Sequence, residues 1–280
     1  MSALSPKTSQ KIAFFVLWLA TLLVVVPVGM VIAVIFKNGW AAVSWEFLTQ
    51  MPRAGMKQGG ILPAIVGTFY LVTGAVCFAL PLGLLAAIYL SEYAKDSLMN
   101  RIVRLAIINL AGVPSVVFGL FGLALFVGFF RFGASILAGS LTLGVMILPV
   151  IITSSREALE SVPKSFREVS LSLGATKLQT IRYAVLPHAL PGVLTGTILG
   201  IGRVIGETMA VMMVTGNSAS MPRSLLHPVR TLTATVAAEM GETVQGSEHY
   251  FSLFAIGVVL FVMTFVINMT ADIFLHRNKK

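Results

Sequence analysis

Residues 155–192 read SREALESVPKSFREVSLSLGATKLQTIRYAVLPHALPG, a long stretch of mixed polarity set between apolar runs. Ser165, with Glu168 three residues later, fits a capping box in which each side chain satisfies an otherwise unpaired backbone N–H. Ser161 followed by Pro163 is a competing start signal. Leu171 and Leu173 then close the helix, and Gly174 suits the left-handed position just past a helix end. The pattern predicts a first short helix over Ser161–Leu173 and a second from about Lys177 to Val185, stopped by Pro187. Such an amphipathic pair is either a hairpin lying on a membrane face or an element that docks in a partner's groove.

The flanks make it a membrane protein. The chain has 280 residues, 56% of them hydrophobic and only 11% charged, with a mean hydropathy of +0.90. Soluble domains carry about 25% charged residues, so a water-soluble fold of this size is excluded. Crossing the hydrocarbon takes ~20 apolar residues in a helix. Runs free of Asp, Glu, Lys and Arg cover Ile12–Phe36, Gln58–Ser91, Leu105–Phe130, Phe132–Ser155, Tyr183–Gly202 and His249–Ala271. The second opens with an entry loop at Gly59, Gly60 and Pro63, and the fifth continues to about Gly216 across Arg203 and Glu207. The expectation is an all-α membrane protein of six transmembrane helices, with no period-2 pattern to support a barrel. The first run is longer than a signal-peptide core and no small-residue cleavage site follows it, so it reads as a retained helix.

Charge then sets the orientation. With both termini on one side, thirteen Lys and Arg fall on that side, six on the other, and Arg203 lies between. The positive-inside bias puts both termini in the cytoplasm. The net charge of +9 is thereby accounted for by topology, with membrane lipid and not nucleic acid as the partner. Cys77 is the single cysteine, which excludes an intrachain disulfide framework. The four histidines (188, 227, 249 and 276) show no metal-ligand spacing.

Arg203 lies 12 residues from Pro191 and 13 from Gly216, near the bilayer midplane. A central charge costs about 2.5 to 3.5 kcal/mol on insertion scales. Glu207, four residues on, shares a helix face with it if the helix is continuous. The two are then either a self-neutralising structural pair or a pathway site, with Glu207 holding Arg203 while the path is empty. A guanidinium fork suits a phosphate-like oxyanion, and a carboxylate can accept a hydrogen bond from a phosphate that still carries a proton.

The motifs resemble those of ABC-importer permeases. Glu168-Val169-Ser170, then Gly174, then Ala184-Val185-Leu186-Pro187 is similar to the Glu-Ala-Ala loop of that family, with conservative departures at 169, 170 and 184. The resemblance implies a type I importer permease fold whose loop, residues 156–190, carries a coupling helix seated in the ATPase subunit. Phe166, Glu168, Leu171, Gly174, Leu186 and Pro187 are the implied coupling residues. Gly202-Arg203-Val-Ile-Gly206-Glu207-Thr208-Met209 resembles the fifth span of permeases in the phosphate-specific (Pst) importer, implying Arg203, Glu207 and Thr208 as pathway residues. Val229–Glu242 and His249-Tyr250 resemble the C-type subunit, while Trp45–Thr49, Gly59–Pro63 and Ala87–Tyr93 are nearer the A-type; the C-type is favoured because the transport-site half carries it. The resemblance further implies an ATP-binding cassette ATPase dimer, a second permease subunit and an external phosphate-binding protein as partners. It divides the chain into an N-terminal helix and outer loop (1–59), a permease core (60–273) and a cytoplasmic tail (274–280).

No Gly-x-x-x-x-Gly-Lys-Ser/Thr run, His-Glu-x-x-His pair or Gly-x-Ser-x-Gly elbow occurs. ATP and Mg are therefore expected on the partner, and the chain itself is expected to be no enzyme. A permease for molybdate or sulfate, or a proton-coupled carrier using Glu207, are the alternative readings. Glycines 192, 196 and 200, and the pair Gly202 and Gly206, stand four residues apart and favour close helix packing, within the chain or against a second permease. Pro27, Pro81, Pro114 and Pro149 are candidate kinks. The outer segment Asn217–Tyr250 is expected to face the binding protein, with Arg223 and Arg230 as docking residues.

Overall fold

The computed structural model describes residues 6–53 and 58–277. Helix α1 (Pro6–Gly39) leads through a 3-10 turn (Trp40–Ala42) to α2 (Trp45–Thr49). The short strands β1 (Pro52–Arg53) and β2 (Gln58–Gly59) pair antiparallel before α3 (Leu62–Ile88), which ends in a π-helical turn, Tyr89–Tyr93. Then come α4 (Leu98–Ala111), α5 (Ser115–Gly122) with a π-helical extension Leu123–Phe129, and α6 (Ile136–Ser161). Helix α7 (Lys164–Ser172) stands alone. By contrast, α8 (Lys177–Thr180), a π-helical turn (Ile181–Val185) and α9 (Leu186–Ile205) form one rod. Helices α10 (Met209–Val214), α11 (Leu232–Glu239) and α12 (Glu248–Arg277) complete the chain.

Among the described residues, five segments are long and apolar enough to span a membrane unaided: residues 9–42, 62–93, 136–161, 177–205 and 248–273. The expected third crossing is different. Helices α4 and α5 meet at a bend of 101° and make a sixth crossing only as a broken pair. Pro114 causes the break, lacking an N–H and pushing Val113 away from helical geometry. Helix α4 starts at Leu98, earlier than the charge-free run, because Arg101 and Arg104 occupy one side of an amphipathic helix. Pro27, Pro81 and Pro149 lie inside helices that continue through them.

Helix α6 is the centre of the bundle, with Leu143, Met146, Ile147 and Ile151 fully buried. Small residues let its neighbours approach. A methyl at Gly83 of α3 would sit 2.7 Å from Ile151 Cγ2. On α9, Gly192 and Gly196 lie directly against Ala158 and Ser154, so that stripe packs within the chain. Gly202 has nothing within 4 Å and faces outward instead. Helix α1 is peripheral and touches the bundle through α12, where Gly39 abuts the backbone at Phe254. The expected tail from 274 is still helical to Arg277; residues 278–280 lie outside the described residues.

The two ends of α6 define two working faces. At its start, the Ile136 and Leu137 amides donate to the carbonyls of His227 and Leu225. At its far end, 26 residues on and about 39 Å away at 1.5 Å per residue, hangs α7.

Candidate functional site

Helix α7 forms a spur. Phe166, Glu168, Val169, Leu171, Leu173 and Gly174 are all exposed on it, Leu173 at 83%. Apolar side chains left in the open at a helix end suit insertion into a groove. The expected capping box at Ser165 and Glu168 is not formed. Pro163 holds the N-cap position, and Ser165 lies within the first turn, where its hydroxyl is past the amides it would cap. Ser161 instead ends α6, donating to the Ala158 carbonyl at 2.8 Å. A capping box does occur at Thr176 and Gln179. Gly174 takes φ +84°, the left-handed turn that separates α7 from α8.

Pro187 does not stop the second helix, contrary to expectation. The π-helical turn at Ile181–Val185 re-phases the backbone so that the rod continues through it into α9. Leu186 is therefore tucked beside Ala87, Leu159, Val162, Val185 and Ala189 beneath the spur, while Pro187 is exposed.

The tether of the spur involves two residues to which sequence reasoning gave no role. Arg167 Nε and Nη2 donate to the Glu92 carboxylate at 3.1 and 2.6 Å. Arg167 Nη1 donates to the Val162 carbonyl and Nη2 also to the Leu159 carbonyl, both at 2.8 Å. The side chains are 20% and 8% exposed, so the pair is shielded. Two lesser contacts join α7 to the rod: Ser170 and Thr180 hydroxyls at 2.9 Å, and the Phe166 and His188 rings with centroids 4.3 Å apart. Glu92 and Arg167 stand 75 residues apart, and only the alternation of charge within an otherwise apolar approach could have singled out Glu92.

The second site is the broken end of α9. Helix α9 stops at Ile205, and Gly206, Glu207 and Thr208 cross an irregular step before α10. The expected continuous helix and the expected Arg203–Glu207 pair are both absent. Glu207 is 9% exposed and turns its Oε1 to the Ala210 amide at 3.1 Å, capping α10. Its own carbonyl accepts from Thr233 Oγ1 of α11 at 2.8 Å. Arg203 is left half-buried, with no hydrogen bond or ion pair among the described residues. Thr208 is half-buried in the step and donates weakly to the Gly206 carbonyl at 3.4 Å.

The segment after α10 is not a free surface loop. Val229, Leu232 and Ala234 are fully buried. The Leu232 amide donates to Thr68 Oγ1 of α3 at 3.2 Å, and Gly67 leaves room for the Arg230 carbonyl. Arg230, expected at a docking surface, is 7% exposed and ion-paired with Glu239. His249 Nε2 sits 3.1 Å from the other Glu239 oxygen. This network borders a cavity of about 800 Å³, also lined by Lys37, Glu46 and Arg53. Arg223 is exposed.

Comparison with known proteins follows the same lines. Residues 79–280 match the family described as binding-protein-dependent transport system inner membrane component. The probable ABC transporter permease protein YqgH of Bacillus subtilis is 40% identical over 79% of this chain and 74% of its own. The phosphate transport system permease protein PstC of Mesorhizobium japonicum is 32% identical over 92% of this chain and 87% of its own. PstA 1 of Mycobacterium tuberculosis is 34% identical over 79% and 73%. Among solved structures, a bacterial ABC transporter that imports alginate superposes with a TM-score of 0.63 at 15% identity, covering 98% of this chain and 97% of that one. The MetNI methionine ABC transporter does so at 0.60 and 19%, over 78% and 94%. These likenesses show the type I importer permease fold, and the sequence matches over most of the chain make it a member of the binding-protein-dependent transport system inner membrane components, a multi-pass membrane permease.

Proposed function

We propose that this chain forms half of an ATP-driven path for inorganic phosphate. The observation that carries the reading is Arg203, a half-buried guanidinium with no hydrogen bond or ion pair among the described residues, beside a break in a membrane helix. An unpaired intramembrane charge is costly, and such charges belong to substrate paths. Broken helices with irregular backbone are tolerated in a membrane where they line a cavity. A planar fork of N–H donors matches two oxygens of a tetrahedral oxyanion. Glu207 Oε2, not engaged by the Ala210 amide, is an acceptor for the proton of a protonated phosphate, which sulfate lacks. Thr208 adds a hydroxyl at the same step. The names of the relatives support phosphate over other anions.

In this reading both termini are cytoplasmic, α7 enters a groove of an ATPase dimer that holds ATP and Mg, and a second permease completes the path. An extracytoplasmic phosphate-binding protein delivers the anion at the opposite end. The chain performs no covalent chemistry. Two relatives named PstC align over 92% and 91% of this chain, which favours the C-type subunit.

The test uses the co-purified complex in proteoliposomes. Uptake of labelled phosphate is measured with ATP, with an ionophore that collapses the proton gradient, and with excess sulfate or molybdate. Uptake that needs ATP, survives the ionophore and resists both competitors is expected. Loss with the ionophore alone would identify a secondary carrier, and competition by sulfate or molybdate would identify a different oxyanion.

A further inference from the structure

We propose that Glu92 and Arg167 are the positioning pair that passes the movement of α7 to α3 and α6. The inference rests on the coupling role assigned to the spur above, and adds the route inward from it. Arg167 lies on the inner side of α7, among exposed neighbours that face away from the bundle. Its guanidinium joins three elements at once: the π-helical turn at the end of α3 through Glu92, the last turn of α6 through the Leu159 carbonyl, and the linker to α7 through the Val162 carbonyl. Four of the five N–H donors that a guanidinium offers are thereby committed. The bonds converge on a planar group, which resists both sliding and rotation in a way that apolar contact does not.

Simple anchorage does not call for this arrangement. The linker at the base of the spur is already held by Val162, in a buried apolar cluster with Ala87, Leu159, Val185 and Ala189. A shielded ion pair is seldom more stabilising than apolar packing of equal volume, and its attested use is to fix one register. Here the register is that of α7 against α3. Helix α3 packs along α6 and at its other end receives α11 through Thr68 and Gly67. Helix α11 in turn bonds to the Glu207 carbonyl at the break. A displacement at Glu92 therefore has a continuous path of packed and hydrogen-bonded elements to the pathway step. Among the described residues, the side-chain hydrogen bond and ring contact of α7 with the rod are the Ser170–Thr180 hydroxyl pair and the Phe166–His188 rings.

The experiment compares Glu92→Gln, Arg167→Lys and the double variant with the parent, each as the assembled complex in proteoliposomes. Glutamine keeps the volume and loses the charge, and lysine keeps the charge and loses the fork. ATP hydrolysis, phosphate uptake and complex yield are measured together. A thiol introduced by Met209→Cys in a Cys77→Ala background reports ATP-driven change at the pathway step, since Met209 is 49% exposed. The expected result is normal yield, ATP hydrolysis within about twofold, phosphate moved per ATP reduced at least tenfold, and loss of the ATP-dependent change in thiol labelling. The double variant should be no worse than Arg167→Lys alone, because the forked bond to Glu92 is already lost there together with the fork's bonds to the Leu159 and Val162 carbonyls. Loss of yield, uptake and hydrolysis in proportion would overturn the proposal, leaving the pair as anchorage. So would unchanged uptake per ATP. The thiol reading does not depend on the substrate: a parent that alternates without moving phosphate rejects the phosphate reading and leaves the joint to be judged on labelling.

Discussion

Gly83→Ala places one methyl where α3 approaches α6 closely. The new Cβ would lie 2.7 Å from Ile151 Cγ2 and 3.2 Å from Ile151 Cβ. Carbon atoms in good contact stand about 3.5–4.0 Å apart, so the two helices must part locally by roughly 1 Å. Ile151 cannot swing aside: it is fully buried, and a β-branched side chain in a helix has one strongly preferred rotamer. Overpacking of this kind costs about 1–3 kcal/mol. Alanine regains up to about 1 kcal/mol of helix propensity, which leaves a net loss of about 0–2 kcal/mol against the parent and about 1–3 kcal/mol against a glycine-to-alanine control that gains the same propensity. Gly202→Ala is the control inside α9, with nothing within 4 Å of the added methyl, and should leave the purified permease as stable as the parent or up to about 1 kcal/mol more stable. The assay is unfolding of the purified chain by denaturing detergent, followed by circular dichroism. Ile151→Ala alone should cost about 2–5 kcal/mol through its cavity. The double variant with Gly83→Ala should cost at least 1 kcal/mol less than the sum of the singles, because the cavity receives the methyl. Additive losses, or a Gly83→Ala chain as stable as Gly202→Ala, would refute the account of close α3–α6 packing.

Other outcomes follow from the two working faces. Val169→Asp with Leu173→Asp should abolish co-purification of the ATPase while leaving detergent unfolding of the permease unchanged, because both side chains are exposed, at 60% and 83%. Glu207→Gln should retain the cap on Ala210, since an amide oxygen can accept, and lose discrimination of phosphate from sulfate in competition assays. Glu207→Ala should in addition lose about 1 kcal/mol of stability, the usual net worth of a hydrogen bond such as the one from the Ala210 amide. Gly174→Ala forces a side chain into φ +84°, at about 1–2 kcal/mol; uptake should fall while the thermal stability of the membrane bundle is kept.

Some of this was legible in residue order. The spur was, because Gly174 and the polar stretch around it interrupt apolar runs in a way no spanning helix tolerates. So was the placement of Arg203 within a spanning segment, since it lies 12 residues from Pro191 and 13 from Gly216. What misled was treating charge-free runs as helices. Arg101 and Arg104 lie inside α4, and Pro114 bends the third crossing. The four-residue spacing of Arg203 and Glu207 implied a shared face, but spacing implies that only while the helix continues. Thr233 and Ala210 compete for Glu207's carbonyl and carboxylate and open the step. Arg230 looked like surface charge because its partner Glu239, which His249 also contacts, comes from a later element. The Glu92–Arg167 pair was hidden for the same reason. Tertiary partners override local pattern where polar groups must be satisfied inside an apolar bundle.

The central claim is that an anion crosses past Arg203. The direct test is ATP-driven phosphate uptake by the assembled complex carrying Arg203→Ala, against the parent and Arg203→Lys. With ATPase and second permease present in parental amounts, uptake should fall at least tenfold for alanine and be partly restored by lysine. Uptake at the parental rate in the alanine variant would contradict the account and return Arg203 to the structure of the bundle.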